Sequence, residues 1–179
     1  MTVEIRGPRI RLRPLRVEEQ RQLWEWRILA GFSGPDSPGE RERFQQRIES
    51  SGEFRDGRLW LGVELDGELI GDVEARQPFA ALPAGVFEVG IAIAPERHGE
   101  GFGTETVETF TGYLFESMAA ERVQGGTATW NAPMQRVFEK LGFQREGVMR
   151  AFMPTPNGRD DYLLYAVTRA DWDAPDRSG

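Results

Sequence analysis

Arg97-His98-Gly99-Glu100-Gly101-Phe102-Gly103-Thr104-Glu105 sets three alternate glycines between an apolar run, residues 86–94, and an amphipathic stretch, residues 103–118. Glycine at that spacing lets the backbone turn with its N–H groups pointing inward. A helix start behind it adds unpaired donors and a partial positive charge. The combination holds a phosphate or pyrophosphate through backbone atoms. The spacing is G-x-G-x-G, not G-x-G-x-x-G, and it follows the fourth expected strand instead of the first. Both features argue against a dinucleotide-binding βαβ unit.

Upstream, residues 86–94 read as a strand ending at Pro95. Alternation puts Phe87, Val89, Ile91 and Ile93 on one face and Glu88, Gly90 and Ala92 on the other. A covered central strand is bulky on both sides, so the small residues beside Glu88 leave room for something other than protein. Residues 58–65 and 68–76 flank Asp66-Gly67, a hairpin turn signal. Residues 9–15 read as a first strand stopped at Pro14, and 18–29 as a helix. A loop over 32–39 ends in the capping box Ser37-Pro38-Gly39-Glu40, which opens a second helix to about residue 50.

Downstream, residues 103–118 place Val107, Phe110, Leu114 and Met118 on one helical face. Residues 122–130 read as a strand, and Asn131 caps a short helix that Gly142 stops. Residues 144–152 and 160–168 read as a closing hairpin, followed by a disordered tail over 174–179. The order β-α-α-β-β-β-α-β-α-β-β describes one domain spanning 1–173.

Composition narrows the chemistry. Cysteine is absent and His98 is the single histidine, which excludes disulfides, cysteine metal sites, histidine-rich metal sites and a Ser-His-Asp triad. No apolar run is long enough to span a bilayer, and the N-terminus lacks a signal peptide's apolar core. The net charge of −7 argues against nucleic acid as partner; it first serves to keep the protein soluble, and it also suits a cationic ligand such as an amine. A cytoplasmic enzyme without a catalytic metal or a membrane is the expectation.

The order of elements, with Val89-Gly90-Ile91-Ala92-Ile93, His98-Gly99-Glu100-Gly101-Phe102-Gly103, Asn131 and Leu141-Gly142-Phe143, resembles the GNAT superfamily of N-acetyltransferases. The opening Ile10-Arg11-Leu12-Arg13-Pro14-Leu15 is similar to the branch containing the Rim-type ribosomal-protein N-terminal acetyltransferases. The resemblance implies an α+β fold: a mixed, mostly antiparallel sheet of about seven strands with helices on both faces, split between the fourth and fifth. It implies acetyl-coenzyme A as donor, its pantetheine paired with backbone groups of Ile91, Ala92 and Ile93 like an added strand. Backbone N–H groups from Gly99 through Gly101, Phe102, Gly103 and Thr104 would hold the pyrophosphate, with His98 either contacting a phosphate or solvated, and Asn131 would reach the pantetheine. His98 stands where the family motif has Gln or Arg; Arg97 is the adjacent alternative cation. Homodimers are common in that branch.

Acetyl transfer needs a neutral amine, a polarised thioester carbonyl and a leaving thiolate. At pH 7 an α-amino group (pKa ~8) costs roughly 1.4 kcal/mol to neutralise, a lysine side chain (pKa ~10.4) roughly 4.6. Glu88 is the first candidate base, with Glu74 and Asp72 as alternative acids. The thiolate side departs from the family: Phe138 stands where many relatives have a tyrosine acid, and Met134 where Rim-type relatives have serine. Backbone donors, water, or Tyr113, Tyr162 or Tyr165 are the alternative sources of such help, each tyrosine reading first as a packing residue. Trp24, Trp26, and residues 32–39, 79–84 and 152–158 are the expected walls of a pocket for a peptide N-terminus or small amine. A non-catalytic acyl-coenzyme-A-binding or regulatory module is the alternative that Phe138 and Met134 keep open.

Overall fold

A computed structural model describes residues 2–29, 38–77 and 82–174. The expected 32–39 loop with its Ser37 cap, the 79–84 segment and the 174–179 tail lie wholly or mostly outside those residues. The chain runs β1 (Ile5–Arg6), β2 (Arg11–Arg13), α1 (Gln20–Leu29), α2 (Pro38–Glu49), β3 (Arg58–Leu65), β4 (Glu68–Arg76) and β5 (Val86–Ile93). It continues with α3 (Phe102–Ser117), β6 (Arg122–Ala128), α4 (Ala132–Lys140), β7 (Gln144–Thr155), β8 (Gly158–Thr168) and α5 (Arg169–Trp172). The strands form one sheet in the order β1-β2-β3-β4-β5-β6-β8-β7. Every pair is antiparallel except β5 with β6.

The sheet has eight strands where the sequence predicts seven. The expected strand over 9–15 is instead a short hairpin, Ile5–Arg6 folding back on Arg11–Arg13. Pro8 lies in the turn of that hairpin and Pro14 follows β2; neither can donate to a ladder, which keeps both strands short. The closing hairpin is tighter than expected, because β7 and β8 run on until only Pro156 and Asn157 separate them. The sheet pairing is irregular between Met149 and Met153, where Ala151 adopts φ 49°. Arg159 closes over this bulge, its Nη2 donating to the Phe152 carbonyl at 2.9 Å.

Alternation divides the hydrophobic residues between two cores. Leu59, Leu61 and Val63 of β3 pack with Phe110 and Leu114 of α3 and Phe138 of α4. Trp60, one register step away, packs on the opposite face with Leu23 of α1 and with Phe44 and Ile48 of α2. Asp66 and Gly67 turn β3 into β4 with φ of 50° and 90°, the left-handed pair that a two-residue hairpin favours. Gly142 at φ 78° stops α4, and the Phe143 N–H returns to the Phe138 carbonyl at 2.9 Å.

Candidate active site

The one parallel contact in the sheet is brief. β5 pairs with β6 only through Val86, Glu88 and the residue between them, opposite Arg122–Gln124; past Glu88 the strands part. On its other side β5 stays paired to β4 from Glu88 to Ile93. The fourth and fifth strands of the sequence reading are β5 and β6, so the expected split is present. Backbone orientation decides which groups face it. The Ala94 N–H donates to Ile70 of β4, and the Ala92 carbonyl presses against Gly71 of β4. Ile91 and Ile93 therefore turn their polar groups into the split, while Ala92 turns its own toward β4.

The glycine loop lies beyond the wide end of the split. Gly99 and Gly101 have φ of 83° and 86°, and Gly101 caps α3 without any side-chain hydrogen bond. The first helical bond runs from the Glu105 N–H to the Gly101 carbonyl. Among the described residues, none of the N–H groups from Gly99 to Thr104 donates a hydrogen bond. Six backbone donors without acceptors, at the positive end of a helix of 16 residues, suit an anion. His98 does not point its ring into this nest: its Nε2 lies 2.8 Å from the Ile93 carbonyl. Arg97 stands 3.7 Å from Glu68 and 4.0 Å from Glu100.

Across the split, Asn131 accepts the Met134 N–H at 3.2 Å through Oδ1, which makes it the cap of α4. Phe138 is 1% exposed, stacked on Tyr165 and tilted against Phe143, so it is a core ring. Met134 packs at the margin of the same core. Tyr165 lies behind Phe138 and donates its hydroxyl to Glu139 at 3.0 Å; burial and then that carboxylate push its pKa up. Burial also raises the Tyr113 and Tyr162 hydroxyls, with Asp160 adding to the rise at Tyr162.

The opposite face of β5 carries the carboxylates. Register places Glu88 beside Arg76, Gly90 beside Glu74 and Ala92 beside Asp72. Asp72 is buried and accepts from Trp60 Nε1 at 2.7 Å, a structural role. Glu74 sits among Arg47, Arg58 and Arg76 at 3.6–3.7 Å. Glu88, with its side chain 36% exposed, is ion-paired to Arg76. It is the carboxylate of the three nearest solvent, and it sits where β5 and β6 begin to part. The ion pair is a feature that sequence reading missed, because nothing local sets the β4–β5 register.

The expected aromatic walls divide. Trp24 packs edge-on against Phe44 at 4.8 Å, and Trp26 also sits on the α1–α2 core. Phe152 stands out from the β7–β8 hairpin at 48% exposure, tilted on Tyr162. A separate cavity of about 630 Å³ opens on the β4 side of the loop, lined by Gln22, Leu69, Ile70, Ala94 and Arg97 among others, with nothing from β6 or α4. Among the described residues no helix is long and apolar enough to cross a membrane, and no cluster of His, Asp and Glu is placed to hold a metal.

A family model described as an acetyltransferase (GNAT) domain matches residues 9–144. The chain is 26% identical to the probable N-acetyltransferase YjcK of Bacillus subtilis (strain 168), over 93% of this chain and 98% of that one. It is 24% identical to the putative ribosomal N-acetyltransferase YdaF of the same organism, over 91% and 87%. The fold also matches Mycobacterium smegmatis RimJ in complex with CoA-disulfide, with a TM-score of 0.76 at 20% identity, over 97% of this chain and 89% of that one.

Proposed function

The chain belongs to the GNAT acetyltransferase family and is an acetyl-coenzyme-A-dependent acyltransferase; from that premise we propose that it acetylates a peptide N-terminus or a small primary amine, with Glu88 as base. The observation that carries this reading is the succession of three features along β5 and the turn after it: Glu88 where the split closes, the edge of β5 left unpaired by β6, and the N–H groups over Gly99–Thr104 that have no acceptor.

When bound, the donor supplies an activated acetyl carbon and a thiol leaving group. The chain's residues do the rest. The Gly99, Gly101, Phe102, Gly103 and Thr104 N–H groups receive the pyrophosphate. Ile91 offers both its backbone groups to the pantetheine; Ile93 offers its N–H, since His98 occupies its carbonyl. The Asn131 amide N–H₂ is left to the pantetheine arm, because capping uses only the oxygen.

The acceptor amine comes from the Glu88 face, over Gly90. As its nitrogen bonds to the acetyl carbon and the carbon–sulfur bond breaks, Glu88 takes the displaced proton directly or through one water. Arg76 orients the Glu88 carboxylate until then. Neither Phe138 nor Met134 can protonate the leaving sulfur, which departs as thiolate, tolerable for a thiol of pKa near ~8.5. A panel of N-terminal peptides, polyamines and aminoglycosides, scored by thiol release, tests this. Turnover on at least one primary amine is expected; none on any of them contradicts it.

A further inference from the structure

We propose that Arg9, from the N-terminal segment, adds a guanidinium donor to the glycine loop and meets the pyrophosphate of coenzyme A there. The inference rests on the donor site proposed above. Of the two basic residues of the loop, His98 is held at the Ile93 carbonyl, and Arg97 lies 3.7 Å from Glu68 and 4.0 Å from Glu100, contacts longer than hydrogen bonds. The carboxylates Glu100 and Glu105 flank the same turn, and the Arg9 guanidinium offsets Glu105 there.

Arg9 is built into that turn from far along the chain. Its Nε donates to Glu105 Oε2 at 2.7 Å, while the Arg9 and Ile10 N–H groups donate to Glu105 Oε1 at 2.6 and 3.1 Å. Its Nη1 donates to the Glu100 carbonyl at 3.2 Å, and its guanidinium carbon lies 4.5 Å over the Phe102 ring. The remaining nitrogen, Nη2, makes no hydrogen bond among the described residues and lies 3.4 Å from where a Cβ on Gly101 would sit. The side chain is 50% exposed. A planar fork held at Nε and Nη1 thus presents Nη2 beside Gly101, a geometry suited to a phosphate oxygen. Glu105 and Phe102 act as its holders, not as ligands.

Calorimetric titrations of coenzyme A, dephospho-coenzyme A and pantetheine against the parent, Arg9→Gln and Arg9→Lys test the assignment, at two salt concentrations and with thermal unfolding of each variant. Arg9→Gln is expected to weaken both nucleotide-bearing ligands about tenfold or more, with a shallower salt dependence, and to leave pantetheine unchanged. If Arg9→Gln fails to fold, Arg9→Lys carries the test through a severalfold fall in affinity for coenzyme A relative to pantetheine. Equal losses for all three ligands would make Arg9 a structural residue acting through Glu105. A loss confined to coenzyme A would move the contact to the 3′-phosphate; unchanged affinities would remove Arg9 from the site. Each of these overturns the proposal while leaving the donor site in place. Failure of the parent to bind coenzyme A overturns the donor site itself, and the role of Arg9 with it.

Discussion

Gly125 and Phe138 are fitted to each other across the β6–α4 interface: a Cβ on Gly125 would fall 2.5 Å from Phe138 Cζ. The same position lies 3.3 Å from the Val89 carbonyl of β5, so the ring fills the space beneath the split. Gly125→Ala must displace a ring that stacks on Tyr165 and tilts against Phe143. The cost of such overpacking is about 1–3 kcal/mol. Thermal unfolding should show a fall of roughly 2–4 °C per kcal/mol, and an unchanged midpoint would mean the ring moves freely.

Tyr165 tests whether a buried phenol replaces the family's acid. Its hydroxyl is held by Glu139, and burial disfavours its ionised form. Tyr165→Phe should cost about 1 kcal/mol of stability and leave kcat within twofold. A fall in kcat approaching a hundredfold would make Tyr165 part of the proton path.

Glu88→Gln preserves shape and a hydrogen-bond acceptor for Arg76 while removing the base. Turnover should drop about 10²–10⁴-fold with little change in affinity for coenzyme A. Equal rates for variant and parent across pH would exclude Glu88. Arg76→Gln should act differently, changing kcat severalfold without abolishing turnover, because it releases the carboxylate instead of removing it.

Acid stability depends on Glu64. Burial alone would raise its pKa, but the hydrogen bond and charge of Arg13, with Arg11 adding to them, hold it below the usual carboxylate value. A depressed carboxylate contributes stability above its unfolded pKa and loses it as pH falls through the folded value. Glu146, bonded to Arg122, and Asp171, bonded to Thr168, are depressed as well and add in the same direction. Denaturant midpoints should therefore fall from about pH 4 downward. Glu64→Gln should lose about 1–3 kcal/mol at neutral pH, because Arg13 loses the Glu64 charge while keeping its ion pair with Glu19, and show a flatter acid limb. An acid limb as steep as the parent's would assign the sensitivity elsewhere.

The parts of the fold that were legible in the sequence are those with local causes. Asp66-Gly67 needs left-handed backbone, Gly142 ends a helix in the same way, and the alternation of Phe87, Val89 and Ile91 announces its own core face. The two-residue strand Ile5–Arg6 has no period to read, so it escaped. Arg76 on Glu88 and Arg9 on Glu105 escaped for another reason. Each joins residues on different elements whose register or docking no local signal records. The departures at Phe138 and Met134 were visible only beside the family motif; the structure adds that Phe138 is fully committed to packing.

The most direct measurement is a titration of acetyl-coenzyme A into the parent and into Gly101→Val, each checked for folding. Gly101 holds φ 86° at the start of α3, where valine is strained and its branches stand in the nest. The account predicts saturable one-to-one binding to the parent and loss of at least about a hundredfold in the variant. Equal affinity in the two chains, or no binding to the parent, would contradict the glycine loop as the seat of the donor.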